Sequence, residues 1–396
     1  MAKKKKISKG LIFACALVFA VVGFCAGVVG NIFFFAASYV IPDTEKATTS
    51  VAEGNMSVEV VKSQDLSIHF LELGNKYTGD CTLIKVGDVE VLIDAGSRAS
   101  SVKPIYDYVS TYLDGDLDYV IVTHAHQDHY AGFATNEGTE SLFDLFNVNT
   151  VIKFAQTNQK PTARMYNNFN RELQETMEDS SKNTKVYTAL ECYNESVEGA
   201  KREYELGNNI SLQILYHEFY EEKASSENDY SVCCMINQND QNYYLFTGDL
   251  EAEGESSLVD EYYKRNGKNL PEVVLYKAGH HGSKTSSSTK LLNLISPEIV
   301  CVCCCAGSSE YTTNAVNQFP TQEFINRVAE HTEKVYVTTL CLDYNKGSYS
   351  SFNGNIVVYS DGGSETYVAC ANNNLVLKET DWFKRNRTCP QKWKTN

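Results

Sequence analysis

Residues 123–132 read THAHQDHYAG, the most chemically distinctive stretch of the chain. Four side chains able to bind a metal ion fall within it, at His124, His126, Asp128 and His129. Imidazole nitrogens and carboxylates bind borderline cations such as zinc, and the neutral imidazole ring is available at ordinary pH. The alternative is a polar loop whose histidines only form hydrogen bonds, and the close spacing of four such groups argues against it. The stretch therefore predicts half of a two-metal site.

Apolar runs precede this stretch and three others that carry reactive side chains. Residues 119–122 (YVIV) lead into the histidines, and VEVLIDAG contains Asp94. Further on, YYLFTGDL carries Asp249, and VVLYKAGHHGSKTSSS carries His280 and His281. A short apolar run bounded by turn residues predicts a buried strand, so each reactive group follows the end of a strand. A rigid strand end that faces a cleft is a common position for a functional side chain.

The spacing H-x-H-x-D-H, together with these motifs in this order, resembles the metallo-β-lactamase superfamily. Within that superfamily, HHGSKTSSS is similar to the hydrolase domain of ComEC-type competence proteins and to their secreted relatives, including phosphorylcholine esterases. The stretches FLELGNKYTGDCTLIKVGDVEVLIDAG, VYVTT and GNIVVYSDG also resemble that branch, so the resemblance covers roughly residues 58–362. It implies an α/β fold in which residues 57–371 form a four-layer αββα metallo-β-lactamase sandwich with hydrolase activity.

The resemblance also implies a set of metal ligands. They are His124, His126, Asp128, His129, Asp249 and His281. The first two histidines would hold the first ion, and the aspartate and histidine that follow them would hold the second ion together with His281. Asp249 would bridge the two ions. The implied cofactors are two divalent metal ions, with Zn²⁺ expected and Mn²⁺ as the alternative.

Other residues receive roles beside the metal ions. Asp128 and His280 are the implied catalytic residues, and His280 would contact the substrate or the leaving group. Asp94 would steady a metal ligand from outside the coordination sphere. Three polar groups downstream of the paired histidines either donate to a phosphate oxygen or cap the next helix, and they are Ser283, Lys284 and Ser286.

Two positions depart from the family pattern. The superfamily has another histidine between the second motif and the bridging aspartate, but residues 227–231 here read ENDYS. The ComEC-like branch tends to have a histidine before a late proline, whereas Phe319 precedes Pro320 in this chain. The first metal ion is therefore expected to have one protein ligand fewer. His217 could replace it, although a lone histidine after an apolar strand is more often structural.

The N-terminus has the pattern of a membrane anchor. Residues 1–9 contain five lysines, and only Asn31 and Ser38 interrupt the apolar run from 10 to 41. This run exceeds the apolar core of a cleavable signal, about 7–15 residues, and the roughly 20 residues that span a bilayer. The positive-inside rule places residues 1–9 in the cytoplasm, residues 10–41 in the cell membrane as a single-pass signal anchor, and the catalytic domain outside. Residues 42–56 form the linker, and the domain is secreted if the segment is cleaved.

The charge of the chain disfavours a general polyanion binder. The formal net charge is −15, even with the N-terminal lysines included. A processive nuclease would need a broad positive surface to hold its substrate. Four basic residues either form a local patch for phosphate or belong to ordinary solvated surface, and they are Lys264, Arg265, Lys277 and Lys284.

Periodicity predicts a layered α/β domain outside the motifs. From Val58 the chain alternates as strands do, and Pro104 opens a helix before the metal-bearing strand. Residues 133–206 are the least constrained by the resemblance and either set substrate specificity or elaborate the surface. The cysteine-rich run 301–305 is predicted to be a strand whose thiols are small buried hydrophobes and not metal ligands. Residues 372–396 are predicted to be a polar, peripheral C-terminal tail.

These inferences combine into one expected function and two alternatives. The expected protein is a membrane-anchored, extracytoplasmic dinuclear metallohydrolase that cleaves phosphodiester bonds with a hydroxide shared by its metal ions. A phosphorylcholine or teichoic-acid esterase is the first alternative, and a non-catalytic cell-surface binding module is the second. The expected partners are the membrane and a phosphate-containing substrate, either nucleic acid or a phosphocholine-bearing polymer. No obligate protein partner is evident in the sequence.

Overall fold

The computed structural model describes residues 58–113, 115–136, 138–360 and 366–394. The predicted basic tail, membrane anchor and linker, residues 1–56, lie outside the described residues. In the part of the chain that the structure does describe, no helix is long and apolar enough to cross a bilayer. The N-terminal anchor therefore stays a prediction.

Sixteen strands form within the described residues and pair into two sheets. In chain order they are β1 (Leu66–Phe70), β2 (Thr82–Val86), β3 (Val89–Ile93), β4 (Leu117–Val122), β5 (Val148–Lys153), β6 (Lys185–Thr188), β7 (Glu203–Gly207), β8 (Ile210–Leu215), β9 (Cys233–Gln238), β10 (Asn242–Phe246), β11 (Leu275–Lys277), β12 (Ile299–Ala306), β13 (Val335–Asp343), β14 (Ser348–Ser350), β15 (Ile356–Ser360) and β16 (Tyr367–Cys370). The first sheet has the order β16-β15-β1-β2-β3-β4-β5-β6, and the second has the order β14-β13-β12-β11-β10-β9-β8-β7.

The two sheets share one plan. Strands β3 to β6 run parallel in the first sheet, and strands β10 to β13 run parallel in the second. The other strands of each sheet join antiparallel to these central runs. Because neighbouring parallel strands end at the same edge of a sheet, the loops that follow them lie close together. This arrangement brings the loops after β3, β4, β10 and β11 together at one site.

Short and medium helices connect the strands. They are α1 (Val58–Lys62), α2 (Val102–Tyr112), α3 (Gln127–Tyr130), α4 (Leu142–Leu145), α5 (Arg164–Glu178), α6 (Ala189–Asn194), α7 (Ala252–Asn266), α8 (Thr289–Ile295), α9 (Gln322–Val328) and α10 (Asp381–Asn386). A 3-10 turn at Gly279–Gly282 carries the paired histidines. Helix α7 ends as its sequence predicts, because Gly267 adopts the left-handed cap conformation with φ of 66°.

Two apolar cores hold the layers together. The larger core joins the two sheets and takes in helices α2 and α5 through side chains such as Ile105 and Phe169. The smaller core lies under α7, α8 and α9 and includes Leu258, Leu291 and Phe324. Central strands such as β2 and β12 are buried along their whole length, so both faces of each sheet are covered. The described residues thus form an α/β sandwich with two sheets, as the sequence predicted.

Alternation along β12 separates its neighbouring thiols. Cys301 and Cys303 belong to the larger core, whereas Cys304 belongs to the smaller one. All three are buried free cysteines in the structure. Opposite faces of one strand cannot supply a common metal ion, so the structure agrees with the interpretation of these thiols as small buried hydrophobes.

Two segments near the first sheet differ from the prediction. Val58–Lys62 is a short helix and not the beginning of the strand meander. Residues 133–206 contribute β5 and β6, which extend the first sheet beside β4 in parallel register. Much of this insertion is therefore framework and not surface elaboration. The apolar residues 151–154 mark β5 in the sequence, whereas β6 is too short for alternation to reveal it.

The C-terminal segment was predicted to be peripheral, and its packing corrects that prediction. Within residues 372–394, Leu377, Phe383 and Trp393 are 0%, 2% and 3% exposed and belong to the smaller core. These three residues are widely spaced in a polar segment and follow neither a helical nor a strand period. The sequence pattern therefore does not predict their burial. The packed domain therefore continues past residue 371.

Candidate metal centre

Loops after four strands bring the predicted ligands together. Asp94 follows β3, His124 follows β4, Asp249 follows β10 and His281 follows β11. His129 joins them from helix α3. Strands β3 and β4 are neighbours in the first sheet, and β10 and β11 are neighbours in the second. The centre therefore lies where the carboxyl ends of both parallel runs meet.

The backbone is strained where these side chains are presented. Asp94, His280 and His281 have φ angles of 62°, 46° and 54°. Positive φ is uncommon for residues that carry a Cβ, and it costs about 1–3 kcal/mol at each position where the surroundings enforce it. The concentration of this strain beside the candidate ligands supports a functional reason for it.

Asp94 orients His129 from outside the cluster. Its Oδ2 lies 2.7 Å from His129 Nδ1. The same carboxylate accepts hydrogen bonds from the amide N–H and the hydroxyl of Thr123, each at 2.8 Å. Because Nδ1 of His129 is engaged, the Nε2 atom is the one available to a metal ion. This is the contact that the predicted steadying role of Asp94 requires.

The carboxylates of Asp249 and Asp128 contact the Nε2 atoms of two histidines. Asp249 Oδ2 lies 3.1 Å from His129 Nε2 and 3.3 Å from His281 Nε2. Asp128 Oδ2 lies 3.3 Å from the same nitrogen of His281. The other nitrogen of His281, Nδ1, is fixed 2.8 Å from the carbonyl oxygen of Cys303. A carboxylate oxygen shared by two imidazole nitrogens is the arrangement that a bridging ligand needs.

This donor set fits divalent cations. In the described residues, donor atoms within 4.8 Å of one another include the groups His124, His129, Asp249 and Asp128, His129, His281. The Nε2 atoms of His129 and His281 are buried, and neither has a partner with hydrogen-bonding geometry. An unpaired buried polar atom costs about 1–3 kcal/mol, a cost that a bound cation removes. Imidazole nitrogen with carboxylate oxygen suits zinc and also manganese.

His124 and His126 form the other side of the centre. His126 Nδ1 lies 3.0 Å from His124 Nε2, so the two rings converge. His124 Nδ1 lies 3.3 Å from Ser231 Oγ, and that hydroxyl accepts the amide N–H of Asp249 at 3.0 Å. His126 belongs to none of the donor groups found in the described residues, but it lines the cleft that opens onto the centre.

Asp80 and Lys277 also belong to the centre. In the sequence, no motif marks Asp80, and Lys277 was predicted to lie at the surface. Lys277 is 3% exposed, forms an ion pair with Asp80 and lies 3.5 Å from Asp249 Oδ1. Asp80 Oδ1 lies 3.2 Å from His281 Nδ1. Their signals in the sequence were the aspartate just before β2 and the charged residue that ends the otherwise apolar β11. A charge at the end of a buried strand needs a buried partner.

Burial and neighbouring charges set the pKa values of the ligands. Burial raises the pKa of the Asp249 carboxyl, but His129 and His281 outweigh it and hold that pKa well below its ordinary value. Burial lowers the pKa of His124 well below its ordinary value, and the neighbouring histidines lower it further. Asp249 is therefore anionic and His124 neutral near neutral pH. These are the forms that bind metal ions.

A cleft of about 600 Å³ opens onto the centre. It is lined by Arg98, His126, Gln127, Asp128, Asn228, Asp249, His280, Glu310, Tyr311 and Tyr344. Tyr311 is 55% exposed, yet its hydroxyl lies 2.5 Å from Asp128 Oδ2. Glu310 pairs with Arg98, with Oε1 and Nη2 2.7 Å apart. The sequence missed these three residues because they lie outside the motifs and meet only through the fold.

His280 lies at the cleft and not among the candidate ligands. Its Nδ1 is 3.3 Å from Glu251 Oε1 and 3.1 Å from Thr285 Oγ1. Its ring centroid lies 5.5 Å from that of Phe319, the residue that precedes Pro320. An imidazole held by a carboxylate at the edge of a cleft is placed to exchange a proton with a leaving group. The predicted substrate contact of His280 is therefore compatible with its position.

The three polar residues after the paired histidines lie outside the cleft lining. Ser283 contacts a neighbouring threonine hydroxyl, the exposed Lys284 donates to an asparagine side chain, and Ser286 is fully buried. None of the three is among the described residues that line the cleft. Helix α8 is capped instead by Ser288, whose hydroxyl accepts an amide N–H of the first turn. The capping prediction is therefore wrong, and their positions lend no support to a phosphate contact.

His217 does not supply the missing ligand. Its Nε2 lies 2.9 Å from the carbonyl oxygen of Ser231 and donates to it. Its ring packs against Tyr220, with centroids 4.2 Å apart. His217 is absent from the donor groups found in the described residues. These contacts match the structural role that the sequence favoured for it.

The four basic residues considered as a phosphate patch do not form one surface. Lys264 and Arg265 both pair with Glu261, with contacts of 2.7 Å. Lys277 is buried in the metal centre. The alternative prediction, ordinary solvated surface, describes Lys264 and Arg265 and fails for Lys277.

Comparison with known proteins supports the family resemblance of the sequence. A model described as "Metallo-beta-lactamase superfamily" matches residues 74–135, which contain Asp80, Asp94 and the histidine motif. Residues 74–135 therefore match the metallo-β-lactamase superfamily. Competence protein ComA of Neisseria gonorrhoeae is 46% identical over 96 residues, which are 24% of this chain and 12% of that protein. Recombination protein 2 of Haemophilus influenzae is 31% identical over 77 residues, which are 19% of this chain and 9% of that protein.

These relatives support the resemblance to the ComEC-like branch. The chain spans only 12% and 9% of the two relatives. Among solved structures, the metallo-β-lactamase fold protein YhfI of Bacillus subtilis is similar with a TM-score of 0.39 and 10% identity, over 69% of this chain and 95% of that one. A long form RNase Z from yeast gives 0.34 and 15%, over 63% and 38%. Both scores lie below 0.5, so the family resemblance rests on the sequence matches. Proteins of this superfamily are generally metal-dependent hydrolases.

Proposed function

We propose that this metallo-β-lactamase domain is a dinuclear, metal-dependent phosphodiesterase. One observation supports this function above all: carboxylate oxygens of Asp128 and Asp249 lie within 3.3 Å of the Nε2 atom of His281. The nearby His129 Nε2 likewise lacks a hydrogen-bond partner. Two divalent ions bound there would lower the pKa of a shared water and neutralise charge on a phosphoryl oxygen. Zn²⁺ is the proposed metal, and Mn²⁺ is the alternative.

Residues around the ions supply orientation. Asp94 holds the ring of His129 so that Nε2 faces the centre. Lys277 lies near Oδ1 of Asp249, which leaves Oδ2 for the two histidines. His129 and Asp249 are therefore each fixed by a second group before substrate arrives. Such preorganisation lowers the reorganisation needed during the reaction.

His280 is the proposed proton donor to the leaving group. Its Nδ1 is held by Glu251 and Thr285, so its Nε2 is the ring nitrogen available to a substrate in the cleft. The hydrogen bond from His280 is the main cause that lowers the pKa of Glu251 to about 2. Glu251 therefore stays anionic and fixes the orientation of the ring. General acid assistance of this kind contributes on the order of a hundredfold or more.

A nucleic acid is the proposed substrate class. The similar proteins are named as competence and recombination proteins, which fits the handling of nucleic acid. The cleft is lined by Arg98, whose guanidinium is paired with Glu310, and by the exposed ring of Tyr311. A cation for a phosphate and an aromatic face for a base are the elements of single-strand binding. The net charge of −15 confines this contact to the cleft.

A phosphorylcholine or teichoic-acid esterase is the second candidate. The centroids of the Tyr311 and Phe319 rings lie 5.8 Å apart beside the centre, and Tyr344 lines the same cleft. Aromatic faces beside carboxylates bind quaternary ammonium groups. These aromatic rings beside the centre are the observation that favours the esterase function. The alternative of a non-catalytic binding module does not explain why the candidate metal ligands converge.

Residues 10–41 are proposed to anchor the domain on the outer side of the cell membrane, with residues 1–9 in the cytoplasm. A protease added to intact cells should then digest the chain beyond Pro42. An epitope tag placed ahead of the N-terminal lysines should survive. Protection of the whole chain would reverse this orientation.

Metal content and kinetics test the catalytic proposal. The full chain purified in detergent should contain close to two divalent ions and should hydrolyse an aryl phosphodiester. Asp249→Asn should remove charge between the ions and slow hydrolysis at least about a hundredfold, or about 3 kcal/mol of barrier. His217→Gln, a change outside the candidate ligands, should leave the rate within a few fold. An absence of metal in folded protein, or equal rates for wild type and Asp249→Asn, contradicts the mechanism.

Substrate competition separates the two candidates. Single-stranded DNA, duplex DNA and a phosphocholine ester should be offered at two salt concentrations. Phosphate contacts by cationic side chains weaken steeply as salt increases. Salt-sensitive cleavage of single-stranded DNA is the expected result. Release of phosphocholine that does not depend on salt, without DNA cleavage, would transfer the assignment to the esterase.

A further inference from the structure

The segment before β9 occupies the place of an absent ligand. The superfamily pattern has a histidine between the second motif and the bridging aspartate, whereas residues 227–231 here read ENDYS. In the structure these residues form a 3-10 turn at Glu227–Tyr230 that leads directly into β9. Every residue of the turn is buried.

Hydrogen bonds join this turn to the histidine loop. Glu227 Oε1 accepts the amide N–H of Ala125 at 3.2 Å. Ser231 Oγ lies 3.3 Å from His124 Nδ1. Ala125 lies between two of the predicted ligands of the first metal ion, so the turn is held against that side of the centre.

The same turn is joined to the loop that carries Asp249. Ser231 Oγ accepts the amide N–H of Asp249 at 3.0 Å. Asp229 Oδ1 accepts the amide N–H of Glu251, also at 3.0 Å. Residues 227–231 therefore bridge the histidine loop and the aspartate loop. These contacts place the turn beside the predicted ligands of the first ion.

Asn228 presents an open acceptor there. The residue is 5% exposed and lines the cleft beside His126 and Asp249. Its Nδ2 donates to Glu251 Oε1 at 3.2 Å and lies 3.4 Å from His280 Nδ1. The amide nitrogen is engaged by Glu251, whereas the buried Oδ1 has no hydrogen-bond partner. Such an unpaired acceptor costs about 1–3 kcal/mol.

Other polar groups of the turn are already engaged. Glu227 Oε2 accepts the amide N–H of Asn158 at 2.6 Å, in addition to its contact with Ala125. Asp229 is bound to the Glu251 amide. The hydroxyl of Tyr230 is 3.0 Å from the amide nitrogen of Ala224 and accepts its hydrogen. The amide oxygen of Asn228 is thus the acceptor of this turn that remains available to a cation.

We propose that Asn228 Oδ1 replaces the absent histidine as a protein ligand of the first metal ion, beside His124 and Asp249. This role rests on the proposed dinuclear function and adds to it the composition of one of its two sites. An amide oxygen is a neutral, hard ligand that suits Mn²⁺ and Mg²⁺ better than it suits Zn²⁺. The first site should therefore bind zinc more weakly than the second and should accept manganese readily.

Metal titration of the full chain in detergent tests this role without reference to activity. Protein stripped with a chelator is titrated with Zn²⁺ against a chromogenic chelator, for wild type, Asn228→Ala, Asn228→His and the control Asn158→Ala. Wild type should show one tight and one weaker site. Asn228→Ala should weaken the weaker site at least tenfold, and Asn228→His should tighten it at least tenfold. Asn158→Ala, a neighbour outside the cleft lining, should leave both affinities unchanged.

The outcomes separate this role from the proposed function. Wild-type protein that is folded and binds no zinc removes the dinuclear function itself. Two sites in wild type with unchanged affinities in Asn228→Ala overturn the role of Asn228 alone. An equal loss in Asn158→Ala also overturns it, because the effect would then come from packing of the turn. If Asn228→Ala does not fold by circular dichroism, an unchanged weaker site in Asn228→His overturns the role in the same way.

Discussion

Lys277 is a buried cation that offsets the negative charge of the carboxylates around it. It lies among carboxylates, paired with Asp80 and 3.5 Å from Asp249 Oδ1. Burial lowers the pKa of Lys277, but Asp80 and Asp249 outweigh burial and hold it above its ordinary value. Lys277 is therefore charged across the working pH range. Its charge holds Asp249, the proposed bridging ligand, in place without a metal ion.

Loss of this cation should destabilise the metal-free protein. Lys277→Met removes the lysine partner of the buried Asp80 and Asp249 carboxylates, and breaking a buried pair in this way costs about 3–5 kcal/mol. Urea denaturation of chelator-treated protein measures the loss. Lys284→Met, a change at an exposed lysine, should stay within about 0.5 kcal/mol of wild type. Equal stability of Lys277→Met and wild type would show that the pair contributes nothing.

His217 should make the protein sensitive to acid. Burial lowers the pKa of His217 to about 4, whereas a histidine in the unfolded chain titrates near 6.5. Its contribution is therefore fully present above pH 6.5 and is lost as the pH falls toward 4. His217→Gln keeps a donor for the Ser231 carbonyl but cannot titrate. Unfolding free energies of the metal-free proteins should converge as the pH falls through this range, and parallel profiles would contradict the assignment.

The turn after β10 shows how an element depends on one glycine. Gly248 has φ of 54°, and a Cβ added there would lie 2.8 Å from Ser231 Oγ and 3.0 Å from Thr123 Cβ. Those two residues hold His124 and the Asp94 carboxylate in place. The glycine therefore lets the aspartate loop approach the histidine loop closely enough to build the centre.

Gly248→Ala should accordingly damage both stability and metal binding. Strain at positive φ and the clash with Ser231 should together lower the unfolding free energy by about 1–3 kcal/mol or more. Gly267→Ala is a matched control, because Gly267 has φ of 66° but no atom within 4 Å of an added Cβ. It should lose stability through backbone strain alone and retain both metal ions. Calorimetry and metal titration of the two variants measure the difference, and equal metal affinities would refute the packing role.

At the scale of the molecule, the sequence predicted the elements whose signal is local. Apolar runs before Asp94, His124 and Asp249 marked strand ends, and the family resemblance implied the two-sheet sandwich. Groups that meet only through long-range folding had no such signal. Arg98 reaches Glu310 across 212 residues, and no spacing rule connects them.

The same reasoning explains why the sequence showed that a histidine ligand is absent but not which residue takes its role. The sequence showed which residue type was lacking in residues 227–231. Only the structure shows that Asn228 has its nitrogen engaged and its oxygen open. Hydrogen-bond geometry of this kind depends on Glu251, a residue from another loop.

The C-terminal segment makes the boundary of the folded unit a measurable question. Trp393 is 3% exposed, donates from Nε1 to the Thr332 carbonyl at 2.9 Å, and lies 5.7 Å from the Phe383 ring. Removal of a buried aromatic side chain costs about 3–5 kcal/mol, so Trp393→Ala should lower the unfolding free energy by that amount. Tyr263→Ala, at a residue that is 58% exposed, should change it little. A chain ended after residue 371 should lose still more, because the smaller core would lie open to water. If that truncated chain unfolded at the same urea concentration as wild type, the segment would be a peripheral tail after all.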